Sequence, residues 1–242
     1  MRYIDIGNSF IKIASHDGNE WKVMIRAPHS QLKDVLELVK FQIDGGMSFL
    51  ACSVVKKLAE AFNDQFGNKI RFVEKSDISS NELNYKTPET LGMDRFVACY
   101  GAHKLAGSSV IVVDAGTATT IDLMDDQGVF HGGVIAPGIA LMENAISDYA
   151  PSLPKVDRSL PEEFPPKSTK EALMWGITGS YLSSVKAHLI ELRKIHKEAH
   201  IWITGGDAEV LMQLKDLKFS YHPNLVFEGL RQMMANKYLK GK

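Results

Sequence analysis

The chain has 242 residues, 45% hydrophobic and 24% charged, a globular balance long enough for one large domain or two smaller ones. Its net charge of −1 gives no whole-protein attraction to nucleic acid or an anionic membrane, and no stretch nears the ~20 apolar residues of a bilayer span. Cys52 and Cys99 lack disulfide or zinc spacing, and the N-terminus lacks a signal-peptide pattern, so a cytoplasmic protein is expected.

The first elements alternate. "YIDIGNS" from Tyr3 reads as a strand into a tight turn, and "SFIKIAS" from Ser9 as the returning strand. "QLKDVLELVKFQI" from Gln31 has helical spacing. "MSFLACSV" reads as a strand, "KKLAEAFNDQF" as a helix and "IRFVE" as a further strand, an α/β order. Pro88 and Gly92 mark a loop, followed by a helix from about Met93 to Leu105.

The second part restarts as the first did. "SVIVVDAG" and "TATTIDL" give a strand, turn and return strand, and "GVFHGGVIAPG" a glycine-broken third strand. Asp5 and Asp114 are about 109 residues apart, which suits a duplicated domain rather than a solenoid. Expected halves are 1–106 and 107–242. Pro151 to Pro166 holds five of the nine prolines and reads as an extended surface segment: a lid, a partner contact or a plain connection. A long helical pattern from Ser168 carries Gly176 and Gly179, which either admit another backbone or bend the helix. "HIWITGG" is a last strand, "NLVFEGLRQMMANKYL" a closing helix and "NKYLKGK" a solvated tail. His196 and His200 read as solvated residues, because no third metal ligand accompanies them.

The repeated turn carries the chemistry. In Asp5-Ile6-Gly7-Asn8-Ser9 and Asp114-Ala-Gly116-Thr117, the glycine permits a tight turn, with positive φ one option, and leaves room for a ligand. Hydroxyl, amide and backbone N–H groups donate to phosphate oxygens, and each aspartate offers hard oxygen ligands to Mg²⁺ or a monovalent ion. A single copy is also explained by a plain hairpin, since Asp and Asn favour turns. "YKTPETLGMDRF" adds Asp94 at a helix start, where the dipole favours its ionised form and it can accept a proton from a hydroxyl. Arg95 suits a carboxylate or phosphate, and Tyr85 can shape a pocket. In isolation, caps being common, the pair reads rather as a helix N-cap at Asp94 and a surface charge at Arg95.

Taken in order, Asp5-Ile-Gly-Asn-Ser, Tyr85-x-x-Pro-x-x-Leu-Gly92-Met93-Asp94-Arg95, Asp114-Ala-Gly-Thr117, Gly132-Gly-Val-Ile-Ala-Pro-Gly138 and Thr204-Gly-Gly resemble the type III pantothenate kinases. The resemblance implies an α/β fold of two ribonuclease H-like, actin-like ATPase halves around a nucleotide cleft. It implies transfer of the ATP γ-phosphate to the hydroxyl of pantothenate, the first step of coenzyme A synthesis, by a cytoplasmic homodimer using Mg²⁺ and K⁺ or NH₄⁺. By motif, Asp5, Ile6, Gly7, Asn8, Ser9, Phe10, Ile11 and Lys12 form the first phosphate turn, with Asp5 near Mg²⁺. Thr117 binds ATP and Asp114 the monovalent cation. Asp94 is the general base, and Tyr85, Gly92, Met93, Asp94, Arg95 and Thr169 contact pantothenate. Ser168 and Glu171 also fit a capping box that simply starts a helix. The rival readings are a kinase for another small hydroxyl compound, a transcription accessory factor, and an actin-like or chaperone-like ATPase, for whose added subdomains the length leaves little room.

Overall fold

The computed structural model describes residues 1–235 and divides into two compact units. Unit 1 takes Met1–Gly107, Gly128–His131 and the chain from Asn224, and unit 2 takes Ser108–Gln127 and Gly132–Pro223. The tail that sequence suggested was solvated lies outside the described residues.

In unit 1, β1 (Arg2–Ile6) pairs antiparallel with β2 (Phe10–His16), which pairs antiparallel with β3 (Trp21–Pro28). On its other side β1 runs parallel to β4 (Phe49–Ser53), and β4 to β5 (Ile70–Phe72). Side chains alternate between faces of a sheet. Ile4, Ile6, Ile11, Ile13 and Phe49 therefore share one face, packed with Val35 and Val39 of α1 (Leu32–Asp44) and Leu58 and Phe62 of α2 (Lys56–Phe66). Tyr3, Asp5 and Cys52 belong to the other face. Here α3 (Met93–Ala106) and the helix α8 (Leu225–Ala235) pack against β4 and against each other. A helix buried nearly all round needs cover on every side, and α3 buries ten of its residues. It ends at Gly107, whose φ of 64° closes the last turn with a 2.8 Å hydrogen bond to the His103 carbonyl.

Unit 2 repeats the plan. Its β6 (Val110–Ala115) pairs antiparallel with β7 (Ala118–Met124) and parallel with β9 (His200–Thr204), giving the order β10-β9-β6-β7-β8, with β8 at Phe130–Pro137 and β10 at Ser220–Tyr221. Reading β6 for β1, this is the strand order of unit 1. The remaining helices are α4 (Ile139–Tyr149), α5 (Thr169–Met174), α6 (Ser180–Ile195) and α7 (Ala208–Leu211).

The units depart from contiguous halves 1–106 and 107–242 in one large respect: α8 belongs to unit 1. Its cause is a helix crossing at backbone distance. A Cβ on Gly101 of α3 would lie 2.7 Å from the Gly229 nitrogen of α8. Gly176 and Gly179 sit in a π-helical turn, Trp175–Gly179, between α5 and α6. Gly179 makes room for the Trp175 ring, 2.6 Å from the position of a Cβ, rather than for another backbone. His196 and His200 lie beside Ser109 and Ser220.

Candidate active site

The first turn is a two-residue hairpin connection. Asp5 stands opposite Lys12, Ile6 opposite Ile11, and the Gly7 N–H donates to the Phe10 carbonyl at 3.0 Å. Asn8 and Ser9 form the tip. Neither Gly7 nor Gly116 has positive φ, and a Cβ at Gly7 would meet only the Phe10 carbonyl oxygen, at 3.8 Å. The option of positive φ is thus not taken, and what the glycine supplies is open space beside the turn. Lys12 Nζ is 3.2 Å from the Asp5 carboxylate. His29 Nε2 lies 2.9 Å from the Gly7 carbonyl oxygen, bracing the turn from the residue after β3. Ile6 and Ile11 are fully buried in the apolar core, so only their backbone groups are open to a phosphate. Phe10 carries the Arg26 guanidinium 3.9 Å above its ring.

Asp94 falls inside the first turn of α3, and Gly92 holds the N-cap. The carboxylate accepts the Arg95 backbone N–H at 2.8 Å. A Cβ on Gly92 would lie 2.7 Å from its Oδ1, so this glycine is what lets the carboxylate fold back over the helix start. The N-terminal end of the helix dipole favours its ionised form. In the parallel pairing of β1 and β4, Asp5 stands beside Cys52. Burial pushes the Cys52 thiol well above its ordinary pKa, and the nearby charges of Asp94 and Asp5 push it further. The two acids therefore gather at the same end of β1 and β4.

Arg95 is only 7% exposed, a surface charge neither in position nor in surroundings. Its guanidinium carbon lies 5.9 Å from the Tyr85 ring centre and 5.8 Å from that of Phe130, within cation–π range of both. Its Nη1 lies 3.5 Å from the Tyr85 hydroxyl. Phe130 escaped the sequence reading because it lies far along the chain. The Asn84 N–H donates to its carbonyl at 2.9 Å, which brings it beneath the Tyr85 loop. Met93, two residues before Arg95, is buried.

Unit 2 builds its turn differently. The Asp114–Thr117 turn is gripped from two sides. Gly138, before α4, donates its N–H to the Thr117 carbonyl at 3.1 Å, and a Cβ there would strike the Gly116 carbonyl oxygen at 2.1 Å. On the other side Gly205 has φ 98°, and a Cβ there would meet the Ala115 carbonyl oxygen at 2.4 Å. The next residue but one, Asp207, donates its N–H to that same oxygen at 2.9 Å. So "DAGT", "APG" and "TGG", separate in sequence, meet at one turn. Asp114 lies in register with Thr204. Thr119, buried just beyond the turn, hydrogen-bonds the Tyr181 hydroxyl at 2.9 Å.

Thr169 is exposed in the first turn of α5, with Ser168 as the N-cap accepting the Glu171 N–H at 3.3 Å. The capping role is therefore formed, and Thr169 stands free of it. Asp5 and Asp114, each next to the last residue of its strand, offer carboxylate oxygens, the donor type that Mg²⁺ and K⁺ prefer.

Solved structures share the fold. A Campylobacter jejuni structure described as a Baf family transcriptional activator is similar over 97% of this chain and 98% of its own, with a TM-score of 0.69 and 24% identity. A Sinorhizobium meliloti structure described as a 2-dehydro-3-deoxygalactonokinase matches at a TM-score of 0.53 and 11% identity, over 96% of this chain and 97% of its own. The chain shares the α/β fold of these structures. The sequence is more specific. The model of the type III pantothenate kinase family matches residues 2–191. The type III pantothenate kinase of Aquifex aeolicus is 33% identical over 239 residues, covering 97% of each chain. This chain belongs to the type III pantothenate kinase family.

Proposed function

We propose that this chain transfers the γ-phosphate of ATP to the hydroxyl of pantothenate, giving 4′-phosphopantothenate for coenzyme A synthesis. Family membership supports the reaction class. The observation that carries the residue roles is the gathering of Asp5 and Asp94 at one end of β1 and β4, with the caged Arg95 next in sequence.

Phosphoryl transfer is mostly positioning and charge stabilisation. Asp94 orients the pantothenate hydroxyl and accepts its proton. Arg95, with its guanidinium near the Tyr85 and Phe130 rings, takes the pantothenate carboxylate, with Thr169 as a further contact. The turn from Asp5 to Lys12 and Thr117 take the ATP phosphates through backbone N–H and hydroxyl groups. Asp5 would hold Mg²⁺ and Asp114 a monovalent cation, K⁺ or NH₄⁺, and these would supply neutralising charge for the phosphates.

We also infer a homodimer. On α4, Leu141, Ala145 and Tyr149 recur every four residues and are all exposed, Tyr149 to 90%, and Ile135 of β8, the strand before α4, is exposed too. A stripe of that kind is what a second copy would cover. A cytoplasmic location agrees with two buried cysteines not joined in a disulfide. Among the described residues no helix is long and apolar enough to cross a membrane.

The deciding experiment measures ADP release from Mg-ATP by the purified protein, with and without pantothenate, in K⁺ and in Na⁺ buffer. Release that requires pantothenate and is greater in K⁺ supports the reading. Folded protein that binds ATP but releases no more ADP with pantothenate overturns the acceptor assignment.

A further inference from the structure

Arg158 lies in the proline-rich segment and belongs to no motif. Its guanidinium makes three charge-assisted hydrogen bonds. Nε and Nη2 reach the two oxygens of Glu143 at 2.8 and 2.7 Å, and Nη1 reaches Asp207 at 2.7 Å. Its backbone is fixed as well. Gln213 donates to the Arg158 carbonyl at 2.9 Å and accepts the Leu160 N–H at 3.0 Å.

The two carboxylates are placed meaningfully. Glu143 is on α4, five residues after Gly138, which grips the Asp114–Thr117 turn on one side. Asp207 follows Gly205 and itself donates to Ala115, gripping the turn on the other side. Arg158 thus bridges the two jaws of one clamp. Bidentate pairing fixes the angle of a guanidinium as well as its distance, and a lysine ammonium has no such fork.

We propose that Arg158 is a positioning residue: a tie bar that holds α4 and the Gly205–Asp207 turn closed around the Asp114–Thr117 turn, and so sets the affinity for the nucleotide phosphates. This rests on the reading of that turn as a phosphate site. It gives the proline-rich segment a task beyond connection, since the segment carries the bar.

The test titrates Mg-ATP into the full chain by calorimetry, for the natural protein, Arg158→Lys and Arg158→Ala, with KM for pantothenate measured alongside. The expected result is weaker ATP binding, by about tenfold for Arg158→Lys, with pantothenate KM unchanged. Arg158→Lys keeps the charge and volume, so it serves if Arg158→Ala does not fold. Glu143→Gln is expected to weaken ATP binding in the same direction. A fall in melting temperature with ATP affinity intact in Arg158→Lys overturns the proposal and leaves a purely structural residue. Failure of the natural protein to bind ATP would instead remove the nucleotide reading, and the tie bar with it.

Discussion

A methyl group on Gly229 would lie 1.9 Å from the Val97 carbonyl oxygen, so α8 crosses α3 with backbone against backbone. No rotamer change relieves a contact of that kind. Gly229→Ala is expected to cost about 3 kcal/mol or to prevent folding, read by urea unfolding. Gly176→Ala is the comparison, because nothing lies within 4 Å of a Cβ there. It is expected to be neutral or to stabilise by up to about 1 kcal/mol. Similar small shifts in both variants would discard the close-crossing account.

Replacing Asp94 by Asn keeps its shape and removes the acceptor charge. Turnover is expected to fall by about 10²–10⁴, with ATP binding retained. Steady-state kinetics and calorimetry check the two halves of that statement. Near-normal turnover would refute Asp94 as the general base.

Arg95 offers a planar fork between two rings, which lysine cannot reproduce. Arg95→Lys is expected to raise the KM for pantothenate by about tenfold or more while leaving that for ATP unchanged. Phe130→Leu should move the same constant in the same direction, by less. An increase confined to the ATP constant would place Arg95 on the wrong substrate.

Glu228 ties α8 to the first sheet. It is 2% exposed and accepts bonds from Arg231, Gln232 and the Trp21 indole N–H, the last at 3.2 Å. Burial works to raise its pKa, but the bonds from Arg231 and Gln232, the Arg231 charge and the Trp21 bond outweigh it, leaving the pKa lowered. A depressed carboxyl contributes stability that is fully present above its unfolded pKa and is lost as pH falls through the folded value. Stability should therefore decline below about pH 4.3. Glu228→Gln should cost about 1–3 kcal/mol at pH 7 and flatten that decline. An unchanged acid limb in melting experiments would count against this.

A charge set into the α4 stripe tests the homodimer. Leu141→Arg is expected to give monomers by equilibrium sedimentation, since an exposed leucine leaves the monomer's own fold little affected. A species of unchanged mass would move the contact elsewhere.

Much of this was legible in the sequence because the informative features are local. The hairpin turns at Asp5 and Asp114 follow from strand, glycine and return strand within a dozen residues, α1 from its apolar spacing, and the start of α3 from the loop marked by Pro88 and Gly92. What sequence hid depends on distant partners. β3 alternates poorly because it is an outer strand of its sheet, with Val23 and Met24 exposed. α4 showed no clear pattern because its exposed residues mix Leu141, Ala145 and Tyr149 with Asn144, Ser147 and Asp148. Gly229 looks like any helix glycine until Val97 is beside it. Arg158 sits among prolines, with both acids it bridges on other elements.

The membership of α8 also orders the birth of the molecule. Unit 1 leaves the chain at Gly107 and is completed only by residues translated after the whole of unit 2. On a ribosome, unit 2 can close on its own segment while α3 still waits, its Gly101 groove open and apolar. The first-made unit is thus the last to be finished. A nascent chain stalled before Asn224 would show this groove to whatever guards unfinished proteins.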